Sequence, residues 1–321
     1  MLAIQLEQND TDFSLACEEY LLKNRTEDVF MLWQSHPAVV VGKHQNALAE
    51  INYSYLRENG IQLARRISGG GTVFHDEGNV NFTYIKNVSG PGEISFRRFV
   101  QPIVDALLEW GLQAQISGRN DLLIDGFKIS GNAEHVYKNR VLHHGTLLYN
   151  SHLDKLGEAI RVTPGKYAGK AVASNRSTVA NIASFMNHPP SIKMFIGHLL
   201  QFHLKNSGVQ AVYELTGEEK QAISELATHK FHTKEWKLGY SPPYTFSNRF
   251  EESGKWLEIF LEVEKGIVTK TQLSGNLYQL NAIHFLMENS VGLAHSYEEI
   301  EMLLDRAGIV SSPESIYAWF Q

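Results

Sequence analysis

The chain has 321 residues, 43% hydrophobic and 20% charged, enough to bury the core of one large domain and a smaller one. Its net charge of −6 excludes broad nucleic-acid binding, though not a local basic pocket, and its single cysteine, Cys17, excludes an internal disulfide or a cysteine-rich zinc site. The first residues lack a basic segment followed by an apolar run, and no stretch approaches the ~20 apolar residues of a membrane span, so the expectation is a cytoplasmic protein without signal peptide or membrane contact.

"TDFSLACEEYLLKN" carries apolar residues at helical spacing and predicts a helix capped by Thr11 or Asp12. "VFMLWQ" and "AVVVGKH" predict strands joined by a turn at Pro37, and "INYSYLRENG" a short helix ended by Gly60. Further strands are predicted at "IQLARR", "TVFH" and "NVNFTYIK". In the last, Val80, Phe82 and Tyr84 alternate as in a half-buried strand. "EISFRRFVQPIVDALLEWG" predicts a helix that Pro102 should bend or interrupt. Strands follow at "AQIS", "DLLID", "FKISGNA" and "RVLHHGTLLYN", with Asp125-Gly126 as a tight turn.

"HLDKLGEAI" predicts a short helix, and the Gly-, Lys- and Arg-rich "RVTPGKYAGKAVASNRS" a mobile loop. "PPSIKMFIGHLLQFHLKN" predicts another helix, with Pro190 near its start. Pro242-Pro243 reads as a linker, so the expected domains are 1–243 and 244–321. Beyond it come a strand, turn and strand, with Leu257, Ile259, Leu261 and Val263 alternating, and then two or three helices. Short neighbouring strands with few crossover helices predict an α+β fold with a mainly antiparallel mixed sheet.

Three features could carry chemistry. Gly69, Gly70 and Gly71 can bring bare backbone close to an anion, and Arg65 and Arg66, on opposite faces of the preceding strand, allow only one arginine to reach that turn. A flexible hairpin is the bland alternative, and the triplet matches neither the GxxxxGK[ST] loop nor the dinucleotide fingerprint. Lys128, on a strand, is either an aimed cation or an ordinary edge lysine facing water. His143 and His144 face opposite ways on their strand, so joint metal ligation is disfavoured; they and His75 read as hydrogen-bonded structural histidines, and Cys17 as a core residue.

Taken together, "RRISGGGTVFHDEGNVNFTYI", "SGRNDLLIDGFKISGNA", "HHGTLLYN" and "SNRSTVANI" resemble the lipoate–protein ligase A family, in order from about Phe13 to Ile182. The resemblance implies a biotin/lipoate ligase-like catalytic domain, 1–243, and a small C-terminal accessory domain, 244–321. It implies a reaction in which lipoate and ATP give lipoyl-adenylate and pyrophosphate, followed by transfer of the lipoyl group to a lysine. The implied acceptors are lipoyl domains of 2-oxoacid dehydrogenase E2 subunits and glycine-cleavage H protein, and the implied enzyme is a cytoplasmic monomer. By motif, Arg66, Gly71, Thr72, Val73, Phe74, Asn79, Asp121 and Lys128 would bind ATP or the adenylate. Gly70, Gly71, Lys128 and Ala133 would bind lipoate, with Lys128 catalytic, Asn120 completing the pocket and Asp121 a ligand to Mg2+. Asp121 as a turn-capping residue is an equal alternative. Lys166, Lys170 and Arg176 would cover pyrophosphate or be solvated loop charges. A transferase using preformed lipoyl-adenylate or an acyl carrier is the competing activity; thioester chemistry would need a reactive cysteine, and Cys17 is poorly placed for it. The "GRGRRG"-like loop of biotin ligases is missing, and the site lysine argues against a non-enzymatic carrier.

Overall fold

β-Branched and aromatic runs separated by Gly, Asn and Asp build most of the strands, and the computed structural model describes residues 1–90, 95–118, 121–175, 177–208 and 211–321. In chain order the strands are β1 (Leu2–Gln5), β2 (Val29–Trp33), β3 (Ala38–Val41), β4 (Gln62–Arg65), β5 (Val73–His75), β6 (Asn79–Asn87) and β7 (Gln115–Ser117). They continue with β8 (Asp121–Ile124), β9 (Phe127–Tyr137), β10 (Arg140–Leu148), β11 (Tyr167–Gly169), β12 (Tyr244–Glu252), β13 (Lys255–Glu264) and β14 (Ile267–Gly275). The helices used below are α1 (Thr11–Asn24), α2 (Tyr53–Glu58), α3 (Phe96–Leu108), α4 (Leu153–Ala159) and α5 (Ile192–Ser207).

The chain divides into two compact units. The first gathers Met1–Gly42, Gln62–Gly157 and Asn175–His232; the second gathers Lys43–Ile61, Glu158–Ser174 and Thr233–Gln321. In the first, a seven-stranded sheet runs β1-β2-β6-β10-β9-β8-β7, antiparallel except for the parallel β1–β2 pair, and a smaller sheet runs β4-β3-β5. One face of the large sheet, with Phe30, Val80, Phe82, Tyr84 and Leu147, packs against Phe99, Ile103 and Leu107 of α3 and Phe195 and Leu199 of α5. In the second unit β12, β13 and β14 form an antiparallel meander, and β11 adds to the free edge of β12. Among the described residues no helix is long and apolar enough to cross a membrane.

Several local expectations are corrected. α1 is capped by Asp10, whose carboxylate accepts from the Phe13 N–H at 2.7 Å, one residue before the expected cap. α3 runs through Pro102 without a break. β1 has no counterpart in the sequence reading, because four residues are too few to show periodicity. The presumed loop at 161–177 contains β11, which exists through its pairing with β12. β6 is buried on both faces along Asn79–Ile85, not on one, because α1 also reaches the sheet and contacts β6 and β10.

Each unit encloses a histidine kept neutral by burial. In the first, His203 stacks on Phe30 at 3.7 Å, accepts from the Tyr84 hydroxyl and donates to the Leu199 carbonyl at 2.7 Å. In the second, His295 accepts from Tyr244 at 2.8 Å and donates to the Trp319 carbonyl at 2.6 Å. Burial pushes both pKa values down to about 4. In the unfolded chain they return to ~6.5, so between those values the unfolded state binds more protons and stability rises with pH. Urea midpoints should therefore hold above about pH 6.5 and drop as pH falls towards 4, in both units; pH-independent midpoints across that window would contradict it.

Candidate active site

Strand register sorts the large sheet into an apolar face and a polar one. Opposed residues share a face, and Thr83, His144 and Ala133 form one such row across β6, β10 and β9, while Asn81 and Thr146 form part of the next. These side chains point away from the α3–α5 core. His143, one residue along, goes the other way and lies parallel to Phe99 at 5.1 Å. The two histidines therefore diverge, as adjacent strand residues must.

Lys128 reaches the polar face through an irregularity. Ser130 pairs with Leu122 and Lys128 with Leu123, so Ile129 is an extra residue in β9. Ile129 is fully buried in the apolar core. Lys128 instead lies across Gly131: a Cβ placed on that glycine would be 3.2 Å from Lys128 Cε and 3.3 Å from Nζ. Its Nζ pairs with Asp121 Oδ1 at 2.8 Å. The Lys128 backbone is pinned by its N–H to the Thr178 carbonyl at 2.9 Å and by the Ala180 N–H to its own carbonyl at 3.0 Å.

The glycine turn sits beside it. Gly70 is the one glycine of the triplet with left-handed φ, +85°, and a Cβ placed on it would lie 3.7 Å from Ala133 Cβ, two residues from Gly131 on β9. Arg66 is the arginine that reaches the turn, while Arg65 donates to the Gly42 carbonyl at 3.0 Å. Arg66 Nη2 donates to the carbonyls of Gly69 and Gly71, both at 2.6 Å, Nη1 to Val40 at 3.0 Å and Nε to Ser68 Oγ at 3.0 Å. Burial pushes its pKa down to about 10. In a trans peptide the N–H opposes the C=O, so binding the carbonyls of Gly69 and Gly71 turns the N–H groups of Gly70 and Thr72 away from the guanidinium. The Gly70 N–H has no acceptor among the described residues.

The other expected residues fall as follows. Val73 and Phe74 lie in β5 against Val40 and Val39, with the Phe74 side chain buried. Asn79 is buried and donates to Asn81 Oδ1 at 2.9 Å. Asn120 and Arg176 lie outside the described residues. Lys166 and Lys170 belong to the second unit, where a cavity of about 470 Å3 is lined by Leu48, Asn52, Arg161, Lys166, Tyr167 and Phe320 and contains none of the glycine-turn or Lys128 residues. Cys17 is buried against Met31, and burial raises its thiol pKa, so it is no nucleophile. Among the described residues no group of three metal-ligating side chains converges. Sequence reasoning missed Gly131, which makes room for Lys128, and Ser68, Glu18 and the hydrogen-bonding role of His144. The alternation in "RVLHHG" could have placed His144 opposite the core; no local signal marks Ser68 or Glu18.

The profile of the lipoyl protein ligase A/B catalytic domain matches residues 10–203. The chain is 37% identical over 297 residues to lipoate–protein ligase 1 of Staphylococcus aureus, covering 92% of this chain and 90% of that protein. Its fold matches an archaeal bipartite lipoate protein ligase, studied with its E2 lipoyl domain from Thermoplasma acidophilum, at a TM-score of 0.65 and 26% identity, over 74% of this chain and 96% of that one. It also matches lipoate-protein ligase A bound with ATP, at a TM-score of 0.63 and 25% identity, over 75% of this chain and 100% of that one.

Two glycines test the turn's packing without reference to catalysis. A Cβ on Gly42 would lie 2.2 Å from the Gly70 carbonyl oxygen, whereas Gly69 has open space and no left-handed φ. Gly42→Ala should destabilise the protein by about 1–3 kcal/mol through overpacking, and Gly69→Ala should be neutral or slightly stabilising. Denaturant unfolding reads both; equal effects would mean that the turn does not rest on Gly42.

Proposed function

The chain belongs to the lipoyl protein ligase A/B catalytic-domain family, and we propose that the polar face of its large sheet activates lipoate with ATP and then passes the lipoyl group to a lysine of an acceptor protein. The observation that carries this reading is the placement of the glycine turn over Ala133 and of Lys128 over Gly131, side by side on one face of β9. In the first step a lipoate carboxylate oxygen forms a bond to the α-phosphorus of ATP, and the bond to pyrophosphate breaks. In the second, the acceptor amine attacks the acyl carbon, loses a proton, and AMP leaves with the bonding electrons.

Two anions must meet in the first step, so positive charge fixed between them lowers the barrier most where charge accumulates on phosphorus oxygens. Lys128 supplies it from a strand pinned on both sides. The turn, with Arg66 behind it, offers outward N–H groups to the phosphate. Lys128 acts by charge and position: an acylated lysine would be a stable amide and a dead end. Mg2+, when bound, would neutralise phosphate charge, and Asp121 fits it as a single carboxylate ligand, since that ion takes much of its shell from phosphates and water. Acceptors on this reading are lipoyl domains of 2-oxoacid dehydrogenase E2 subunits and glycine-cleavage H protein, and the enzyme works as a cytoplasmic monomer. Residues 1–243 carry the catalysis and 244–321 act as the accessory domain.

Lipoate-dependent ATP–pyrophosphate exchange tests the reading; no exchange, with transfer from supplied lipoyl-adenylate intact, would leave a transferase. Lys128→Met should lower adenylation by about 10²–10³-fold with the fold retained. Gly131→Ala, which displaces the Lys128 side chain but leaves its charge, should lower it by about 10–100-fold. Near-wild-type adenylation by Lys128→Met, or a kinetically competent lipoyl group on Lys128 seen by mass spectrometry, would overturn the assignment. Removal of the chain from Tyr244 onward should spare transfer from lipoyl-adenylate and impair adenylation; full adenylation by the truncated protein would separate the tail from the first step.

A further inference from the structure

Behind the glycine turn runs a buried line of hydrogen bonds that the reaction itself does not use. Ser68 Oγ lies 2.6 Å from His144 Nε2, and His144 Nδ1 lies 2.9 and 3.1 Å from the two Glu18 carboxylate oxygens. Glu18 also accepts from Thr83 Oγ1 at 2.6 Å, and Thr83 accepts from Trp33 Nε1 at 3.3 Å. Ser68 and Glu18 are fully enclosed and His144 nearly so. The spacing of Ser68, His144 and Glu18 is that of a nucleophile, base and orienting acid. Ser68, however, is sealed from solvent, and one of its lone pairs is already taken by Arg66 Nε.

The proton positions follow by elimination. Arg66 can only donate, so Ser68 Oγ accepts from it. Glu18 can only accept, so His144 Nδ1 donates to it, and in the neutral tautomer this leaves Nε2 to accept the Ser68 hydroxyl proton. Every donor in the line points from Arg66 towards Glu18. We propose that Glu18, His144 and Ser68 form a positioning relay, which fixes the rotation of the Arg66 guanidinium about Nε and so holds the Gly69 and Gly71 carbonyls back and the turn's N–H groups forward, towards the ATP phosphates. The relay rests on the assignment of the glycine turn to ATP made above. It explains why a glutamate and a histidine are buried beneath the turn: the Glu18 charge offsets the buried guanidinium, and the direction of the line leaves Arg66 Nε one acceptor and one orientation.

The test uses the full-length protein in lipoate-dependent ATP–pyrophosphate exchange, with KM for ATP and for lipoate measured separately. Ser68→Ala removes the acceptor at Nε and should raise the KM for ATP about tenfold or more, the scale of a lost hydrogen bond to a charged group, with the KM for lipoate little changed. Ser68→Cys keeps the bulk with a weak hydrogen-bonding group and should move the same way if the alanine variant does not fold. Glu18→Gln retains an acceptor for His144 and Thr83 but not the charge, and should lose less ATP affinity than Glu18→Ala. Arg66→Lys is the reference. If it leaves the KM for ATP unchanged, the turn is not the nucleotide site and the parent reading fails. If it raises that KM while Ser68→Ala and Ser68→Cys do not, the relay alone fails. In the double variant, Ser68→Ala should add little on the Arg66→Lys background; fully multiplicative effects would also overturn the relay, because they would show that Ser68 acts independently of Arg66.

Discussion

A conflict in β9 shapes the site. Ile129 belongs in the apolar core, and its neighbour Lys128 carries a charge that cannot share the space between sheet and α3. In a regular strand Lys128 would point to the same face as Ser130 and Asn132, beside Phe82 and Gly145, where a Cβ on Gly145 would meet Asn132 and Phe82 at 2.1 and 2.6 Å. An unpaired charge there would cost several kcal/mol. The bulge at Ile129 removes the conflict: the isoleucine stays in the core, and the lysine crosses to the polar face. The 178–180 segment then locks the bulged strand through both backbone bonds of Lys128. A side chain aimed by a bulge and pinned by its own main chain loses little entropy when it meets a ligand.

The polar face to which Lys128 crosses is buried but only partly satisfied. His75, on β5 of the smaller sheet and 5.4 Å from the Trp33 ring of β2, has no hydrogen-bond partner for either ring nitrogen among the described residues, and burial pushes its pKa down to about 3. Asn79 Oδ1 and Asn81 Nδ2 are likewise without partners. Each such atom destabilises the fold by about 1–3 kcal/mol, whereas the opposite face of the same strands carries most of the apolar core. Costs of this kind are tolerated where a surface is shaped for chemistry rather than for stability alone. The two faces of the sheet thus differ in how fully their buried polar atoms are satisfied.

Much of this architecture is legible in the chain. The period-two runs that become β6 and β13 and the helical spacing of α1 are strong because each element is long enough to show its period. What escapes is short or depends on tertiary contact. β1 and β11 are held by pairing with β2 and β12, not by their own propensity, and the Asp10 cap lies just outside the apolar pattern that defines α1. The site divides in the same way. The glycine turn, Arg66 and Lys128 announce themselves because bare backbone and strand-borne charge are locally unusual. Glu18, Ser68 and His144 come from α1, the turn and β10, and become a group only when the sheet brings them within hydrogen-bonding distance. The bulge is hidden because "FKISGNA" reads equally well as a regular strand.

The two cations at the turn are neutralised in different ways, and the difference suits different tasks. Arg66 is enclosed, and its partners are backbone carbonyls and a hydroxyl that belong to the fold itself. No anion can displace them without unmaking the turn, so Arg66 is a structural charge that acts through the peptide dipoles it orients. Lys128 and Asp121 keep 23% and 32% of their side-chain surface exposed, and their pair is held by one contact at 2.8 Å. A partly exposed pair of this kind contributes little to stability, so the contact exchanges at small cost. Asp121 holds the Lys128 side chain oriented across Gly131. One cation is fixed by the fold that surrounds it, and the other is held by a single exchangeable contact.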